Sequence, residues 1–194
     1  MPYTVAFSGV CALLASAILL AGPPAKACTR VVYHGPEARY LTGRTFDWKD
    51  EINSNLWIFP RGMERDGVAG PRSAQWTSRY GSLIISGYDI STVDGMNEAG
   101  LVTNLLWQVD AGYPVDDGET PRLSLSLWAQ YFLDQFATVA EAVAHLNETP
   151  LHAVTGEVPG RPGSMTTVHL SLSDATGDSA ILEWIDGELV IHHN

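Results

Sequence analysis

The chemistry open to this sequence centres on Cys28. It is preceded by an apolar run, Val5–Ala21, then the helix-breaking Gly22-Pro23-Pro24, then Ala25-Lys26-Ala27. An apolar core, a breaker and small residues three and one places before the cut describe a secretory signal removed just ahead of Cys28. Other readings of the same stretch are a membrane anchor, for which roughly 17 apolar residues is the lower limit, and a lipoprotein signal, which Lys26 fits badly. The n-region has no Lys or Arg before Lys26. The expectation is a signal peptide over residues 1–27, a domain over residues 28–194, and a periplasmic or secreted product. Cys11 leaves with the signal, so a single thiol remains, at the new amino terminus. Such a cysteine is self-sufficient in a specific sense. A thiolate is the nucleophile, and the free α-amine of the same residue titrates near neutrality and can take the thiol proton.

Two further groups lie close in sequence, in Gly43-Arg44-Thr45-Phe46-Asp47-Trp48. Strand alternation puts Arg44 and Phe46 on one face, with a turn near Asp47. A cation near Cys28 would favour its thiolate, and a carboxylate could hold the α-ammonium through a charge-assisted hydrogen bond. Spacing alone favours a plainer description, an exposed Arg44–Asp47 pair of little energetic worth. Other candidates weigh less. His192 and His193 are adjacent on a strand and point to opposite faces, with no third metal ligand near in sequence. His169 with Cys28 would make a papain-like pair, but such cysteines are not chain termini. Trp48, Trp57, Trp76, Trp107, Trp128 and Trp184 could line an aromatic pocket; most are expected in the core, with Trp48 and Trp107 the best candidates for a substrate wall.

These residues need a scaffold, and short strand-like runs dominate: Thr29–Tyr33, Tyr40–Thr45, Leu56–Phe59, Gly81–Tyr88 and Leu101–Trp107. His34-Gly35-Pro36, Arg61-Gly62 and Asp94-Gly95 read as turns between them. Leu123–Phe136 has helical spacing, with Leu125, Trp128, Ala129 and Phe132 on one face. Thr138 and Glu141 form a capping box that opens a second helix through about Asn147. Thr167–Ser173, Ser179–Ile185 and Glu188–His192 then make an antiparallel meander, with Asp186-Gly187 as a two-residue hairpin turn. Strands, a helical pair, then strands again read as α+β, helices packed on an antiparallel sheet, with no linker between domains.

Composition narrows the partners. The chain has 22 acidic and 11 basic side chains and a net charge of -11, which argues against nucleic acid or an anionic membrane as a partner. Hydrophobic residues at 45% against 17% charged suit a folded domain. A small molecule is the expected partner; homo-oligomerisation stays open.

Taken in order, Cys28-Thr29-Arg30, G-R-T-F-D-W at 43–48, Asp94-Gly95-Met96-Asn97-Glu98-Ala99-Gly100-Leu101 and the late D-G-x-x-V-x-H-H of Asp186–His193 resemble the choloylglycine hydrolase and penicillin V acylase family of N-terminal-nucleophile hydrolases. That family has a processed N-terminal Cys, an Arg sixteen positions on and an Asp nineteen on, which here are Arg44 and Asp47. The resemblance implies an αββα sandwich, incomplete in this chain, and cofactor-free hydrolysis of a linear amide. Cys28, Arg44 and Asp47 would be catalytic, and the Trp107 backbone N–H would be one oxyanion donor. Family substrates are conjugated bile salts, penicillin V or N-acyl homoserine lactones. An exported precursor with no further propeptide looks like the Gram-negative branch. Two departures stand out. Trp107 occupies a position where the family has Asn or Tyr, which alters the pocket more than the backbone donor. The family's T-N-x-P segment, whose Asn is the second oxyanion donor, and a later catalytic Arg are absent, so the chain resembles about the first half of the domain. Loss of one oxyanion donor typically costs about 100- to 1000-fold in rate. The alternative is therefore a truncated or pseudoenzyme domain that binds an acyl ligand or a partner without catalysis.

Overall fold

The computed structural model describes residues 28–194; the signal segment expected over residues 1–27 lies outside them. The elements in chain order are β1 (Arg30–His34), β2 (Tyr40–Arg44), β3 (Leu56–Phe59), β4 (Glu64–Asp66), β5 (Gln75–Thr77), β6 (Ser82–Gly87), β7 (Ser91–Asn97), β8 (Val102–Trp107), β9 (Arg122–Ser124), α1 (Leu125–Gln135), α2 (Val139–Glu148), β10 (His152–Val154), β11 (Val168–Ser173), β12 (Ser179–Ile185) and β13 (Glu188–His193). Seven strands form one antiparallel sheet in the order β13-β12-β11-β8-β7-β6-β3. The period-2 pattern decides its faces. Leu170 and Leu172 on β11, and Ala180, Leu182 and Trp184 on β12, are buried against Trp128, Phe132 and Phe136 of the helical layer.

Both helices begin as their sequences demand. Ser124 caps α1 by accepting from the Ser126 N–H. At α2 the Thr138 Oγ1 accepts from the Glu141 N–H at 3.2 Å, while the Glu141 carboxylate reaches back to Ala137 N–H at 2.8 Å. This is the expected box displaced by one residue on its return arm. Asp186 and Gly187 both take positive φ, 51° and 86°, which is the backbone of the expected two-residue hairpin between β12 and β13.

Two expectations are corrected. Asp94-Gly95 is not a turn: both residues lie inside β7, where Asp94 pairs with Asn104 and Gly95 with Thr103 of β8. The glycine is there for proximity. A Cβ on Gly95 would fall 2.5 Å from Leu133 Cδ1 and 2.8 Å from Ile84 Cγ2, so its absence lets α1 lie directly on the sheet. The helical run expected from Leu123 begins instead at Leu125, because Arg122–Ser124 pair in parallel with His152–Val154.

Among the described residues the face of the sheet away from α1 is covered only in part. The β1–β2 hairpin reaches it through Arg30, whose Nη2 donates to Ser173 Oγ at 2.7 Å, and through Thr42, whose hydroxyl lies 2.8 Å from the same oxygen. Beyond the hairpin, Leu56, Ile58, Leu83 and Met96 stand exposed, Ile58 by 80%. The register Ile58↔Leu83↔Met96 aligns three of them in one row.

Candidate active site

Cys28 sits at the mouth of the β1–β2 hairpin. The hairpin register places Arg30 opposite Arg44. One pair further out, Thr45 N–H donates to Thr29 O at 2.9 Å and Thr29 N–H to Thr45 Oγ1 at 3.1 Å. Continuing that register brings Cys28 opposite Phe46, with Asp47 just beyond it. The Thr45 hydroxyl also donates to Asp47 Oδ2 at 2.8 Å. One hydroxyl thus fastens the Asp47 carboxylate to the backbone beside Cys28.

Arg44 takes a different partner from the one its spacing suggested. Its guanidinium lies over the Phe46 ring at 4.5 Å, places Nε 3.4 Å from Asp94 Oδ1, and donates through Nη2 to Leu105 O. The Arg44 and Asp94 side chains are 9% and 11% exposed. The exposed Arg44–Asp47 pair is therefore corrected to a buried Arg44–Asp94 pair. Strand alternation turns Arg44 toward the sheet, while the chain bends away at Asp47. The network continues: Asn104 Nδ2 donates to Asp94 Oδ1 at 2.8 Å, and Arg30 Nε donates to Asn104 Oδ1 at 2.7 Å. Burial pushes the Asp94 carboxyl up from its ordinary value, against the opposing pull of Arg44, Asn104 and Arg30. Burial likewise lowers Arg30 to about 10, with Asp94 opposing.

A cavity of about 290 Å³ opens where β7 and β8 part, lined among others by Cys28, Phe46, Trp48, Tyr88, Leu105 and Trp107. Of the six tryptophans, Trp48 and Trp107 are the two that line it, as expected, with ring centroids 5.0 Å apart and planes tilted by 45°. Trp128 and Trp184 are core; Trp57 is instead 45% exposed and donates to Asp89 Oδ1. Trp48 Nε1 donates to Tyr88 OH at 2.8 Å. Tyr88 and Asp89 form the β6–β7 turn with φ of 53° and 57°, a left-handed conformation disfavoured for residues with a Cβ. The Trp48 bond, and Ser86 and Trp57 donating to Asp89, hold it there.

Backbone alternation orients the Trp107 N–H. Gln108 N–H donates to Thr167 O on the β11 side, so the Trp107 N–H, one residue earlier, points to the β7 side. The β7–β8 ladder has ended there at Asp94↔Asn104, and Leu105 O on the same side goes to Arg44. The N–H of Trp107 thus faces the gap that forms the cavity.

The three candidate histidines lie elsewhere. His192 Nε2 contacts Glu183 Oε2 and His193 Nε2 contacts Asp178, different carboxylates. His169 does not line the Cys28 cavity; its Nδ1 is buried without a hydrogen-bond partner among the described residues, and burial holds the ring below its ordinary value. Reasoning from the sequence missed Asp94, which was absorbed into a supposed turn, and Tyr88, which was read as the end of a strand. It also missed the bidentate Arg161–Asp50 pair. This pair joins the segment after Trp48 to the loop of Gly156–Pro159, two walls of the cavity. A separation of 111 residues gave no local signal for it.

One helix-backed antiparallel sheet, with a short hairpin laid over its second face, has the architecture of an N-terminal-nucleophile hydrolase sandwich over about half of its length. Residues 28–194 match the family of linear amide C–N hydrolases, choloylglycine hydrolase family, and the chain belongs to it. It is 48% identical over 197 residues to a penicillin V acylase of Pectobacterium atrosepticum, covering 96% of this chain and 52% of that one. It is 27% identical over 176 residues to a bile salt hydrolase/transferase of Clostridium perfringens, covering 86% and 51%. Among solved structures, penicillin V acylase from Agrobacterium tumefaciens superposes with a TM-score of 0.78 at 57% identity, over 85% of this chain and 49% of that one. A Clostridium perfringens conjugated bile acid hydrolase shares the fold at 23% identity and a TM-score of 0.71, over 87% of this chain and 51% of that one. The chain spans about half the length of the curated relatives it matches.

Proposed function

We propose that this chain carries the nucleophile half of an exported cysteine amidohydrolase that cleaves a linear amide, with an aromatic acyl group seated between Trp48 and Trp107. The observation that carries this reading is the position of Cys28 in the same cavity as those two rings. The family match also begins at Cys28, the residue that signal cleavage would expose. Cys28 Sγ attacks the amide carbonyl. Its α-amine accepts the thiol proton and returns it to the departing amine, and water hydrolyses the thioester. Arg44 favours the thiolate, and Asp47, anchored by Thr45, orients the ammonium. The Trp107 N–H receives the developing oxyanion. The mechanism calls for no cofactor, and the periplasm or the exterior is where it operates.

Penicillin V is the first substrate to test, since its phenoxyacetyl group suits a paired-indole wall and the two nearer relatives described above are penicillin V acylases. A conjugated bile salt and an N-acyl homoserine lactone are the comparison substrates. Amine release is measured for the exported protein and for Cys28→Ser, which keeps the α-amine and the shape but has a hydroxyl that is far harder to deprotonate. Activity abolished in Cys28→Ser supports the reading; equal activity refutes it.

A second reading is an acyl-binding domain without turnover, and it too has its observation. Among the described residues the sheet face bearing Leu56, Ile58, Leu83 and Met96 is open to an apolar ligand. Saturable binding of penicillin V with no amine release selects this reading.

A further inference from the structure

We infer that Asp94 is a positioning residue that holds the Arg44 guanidinium against Phe46 and Leu105, two residues that line the Cys28 cavity. The inference rests on the proposed role of Arg44 beside the nucleophile and adds the group that makes the role geometrically possible. Asp94 is 8% exposed and lies on the sheet face opposite α1, since its neighbour Gly95 is the residue in contact with Leu133. It stands at the centre of a continuous polar chain. Ser173 on β11 accepts from Arg30 on β1, which donates to Asn104 on β8, which donates to Asp94 on β7, which faces Arg44 on β2. The side chains of this network tie the β1–β2 hairpin to strands β7, β8 and β11 of the sheet.

Arg44 itself is thinly held. Among the described residues its Nε and Nη1 are buried without hydrogen-bond partners, and two contacts restrain the guanidinium: Leu105 O at Nη2 and the Asp94 carboxylate beside Nε. The Phe46 ring supports its flat face at 4.5 Å but permits sliding. Without the carboxylate, a buried cation would keep one carbonyl and repulsion from the other guanidinium of the network, Arg30. Such a cation leaves for water if a path exists, and the wide opening beside Leu41, Leu56 and Met96 also borders Arg44 and Asp94. Among the described residues the titratable and charged groups facing Arg44 are then Asp94 from β7, Arg30 from β1 and His169 from β11. Of these Asp94 alone is an anion.

The charge of Asp94 acts on Cys28 in two opposed ways, and this makes the inference decidable. On the proposed mechanism, the Asp94 anion by itself would disfavour a thiolate, while as the anchor of Arg44 it would favour one through the cation. Asp94→Asn retains the shape and an acceptor oxygen for Asn104 while removing the charge. If the direct effect dominates, Cys28 becomes more reactive in the variant; if positioning dominates, it becomes less reactive.

The test is the rate of iodoacetamide alkylation at Cys28 across about pH 6–8, followed by peptide mass spectrometry so that Cys11 is scored separately. The full chain is used as parent, Asp94→Asn, Arg44→Leu and the double variant, with circular dichroism to confirm that each is folded. The expected result is a loss of rate on the order of fivefold in Asp94→Asn, a similar loss in Arg44→Leu, and a double variant no slower than Arg44→Leu alone, as two residues acting in series require. An Asp94→Asn rate equal to or above the parent, or losses that multiply in the double variant, overturns the positioning role. If Arg44→Leu itself alkylates like the parent, the proposed role of Arg44 fails, whatever Asp94 does. Should Asp94→Asn fail to fold, Asp94→Glu replaces it; that variant restores the charge on a longer arm. The inference then requires at least partial retention of the parent rate, and a rate equal to Arg44→Leu overturns it.

Discussion

Replacing Gly95 by Ala tests whether the contact between α1 and β7 is as close as described. The new methyl carbon would lie 2.5 Å from Leu133 Cδ1, 2.8 Å from Ile84 Cγ2 and 3.1 Å from Leu83 O. Leu133 is fully buried and Ile84 is 2% exposed, so neither can swing into water, and the third neighbour is backbone. Inserting a methyl into such packing costs about 1–3 kcal/mol. Restricting the unfolded chain recovers about 0.4–1 kcal/mol, which leaves a net loss of about 1–2 kcal/mol. With a urea slope of about 2 kcal/mol per molar, the midpoint should fall by about 0.5–1 M at an unchanged slope. Leu133→Ala alone should cost about 2–5 kcal/mol. The double variant should cost less than the sum of the two, because the truncated side chain vacates the space the methyl needs. A midpoint for Gly95→Ala at or above the parent, or strict additivity in the double variant, would refute the close approach.

Other outcomes follow from the same geometry. Trp48→Phe keeps a ring in the cavity but removes the donor to Tyr88 OH; it should cost about 1 kcal/mol in urea unfolding through the left-handed Tyr88-Asp89 turn. Arg161→Ala breaks an ion pair whose side chains are 30% and 37% exposed, so stability should change by at most about 1 kcal/mol. Its penicillin V dissociation constant, measured by tryptophan quenching, should nonetheless rise and lose its dependence on salt. Burial holds His169 and His145 below the ordinary 6.5, so the folded state binds fewer protons than the unfolded one. Their neutral forms therefore support the fold fully above about pH 6.5, and stability should decline as pH falls from there toward the depressed values. Urea midpoints at about pH 7.5 and pH 5.5 should show that decline, and His169→Gln should lessen it. Trp107→Leu removes an indole but keeps the backbone N–H, so aromatic acyl binding should weaken while Cys28 alkylation stays at the parent rate.

The parts of this molecule that were legible in its sequence are those set by local rules. The alternation of β11 and β12, the Asp186-Gly187 turn and the cap at Thr138 each follow from a few neighbouring residues, and each is found within a residue of its expected place. The tryptophan pair was found because Trp48 and Trp107 adjoin the matched motifs. What was not legible depends on pairing across long separations. Gly95 looks like half of a turn until the helix 38 residues away is placed against it. Arg44 finds its anion on β7, which no spacing within residues 43–48 could indicate. The turn at Tyr88-Asp89 has none of the glycine or asparagine that normally marks positive φ, because side-chain hydrogen bonds from Trp48, Trp57 and Ser86 hold it instead.

The central claim is that Cys28 is the nucleophile, and acylation tests it without requiring complete turnover. The protein with Cys28 as its amino-terminal residue is mixed with penicillin V, quenched in acid and digested, and the peptide containing Cys28 is weighed. The account predicts a mass increase of one phenoxyacetyl group on that peptide, removed by hydroxylamine and absent from Cys28→Ser. An adduct carried by another residue, or a Cys28 peptide left unmodified while penicillin V is consumed, would contradict it.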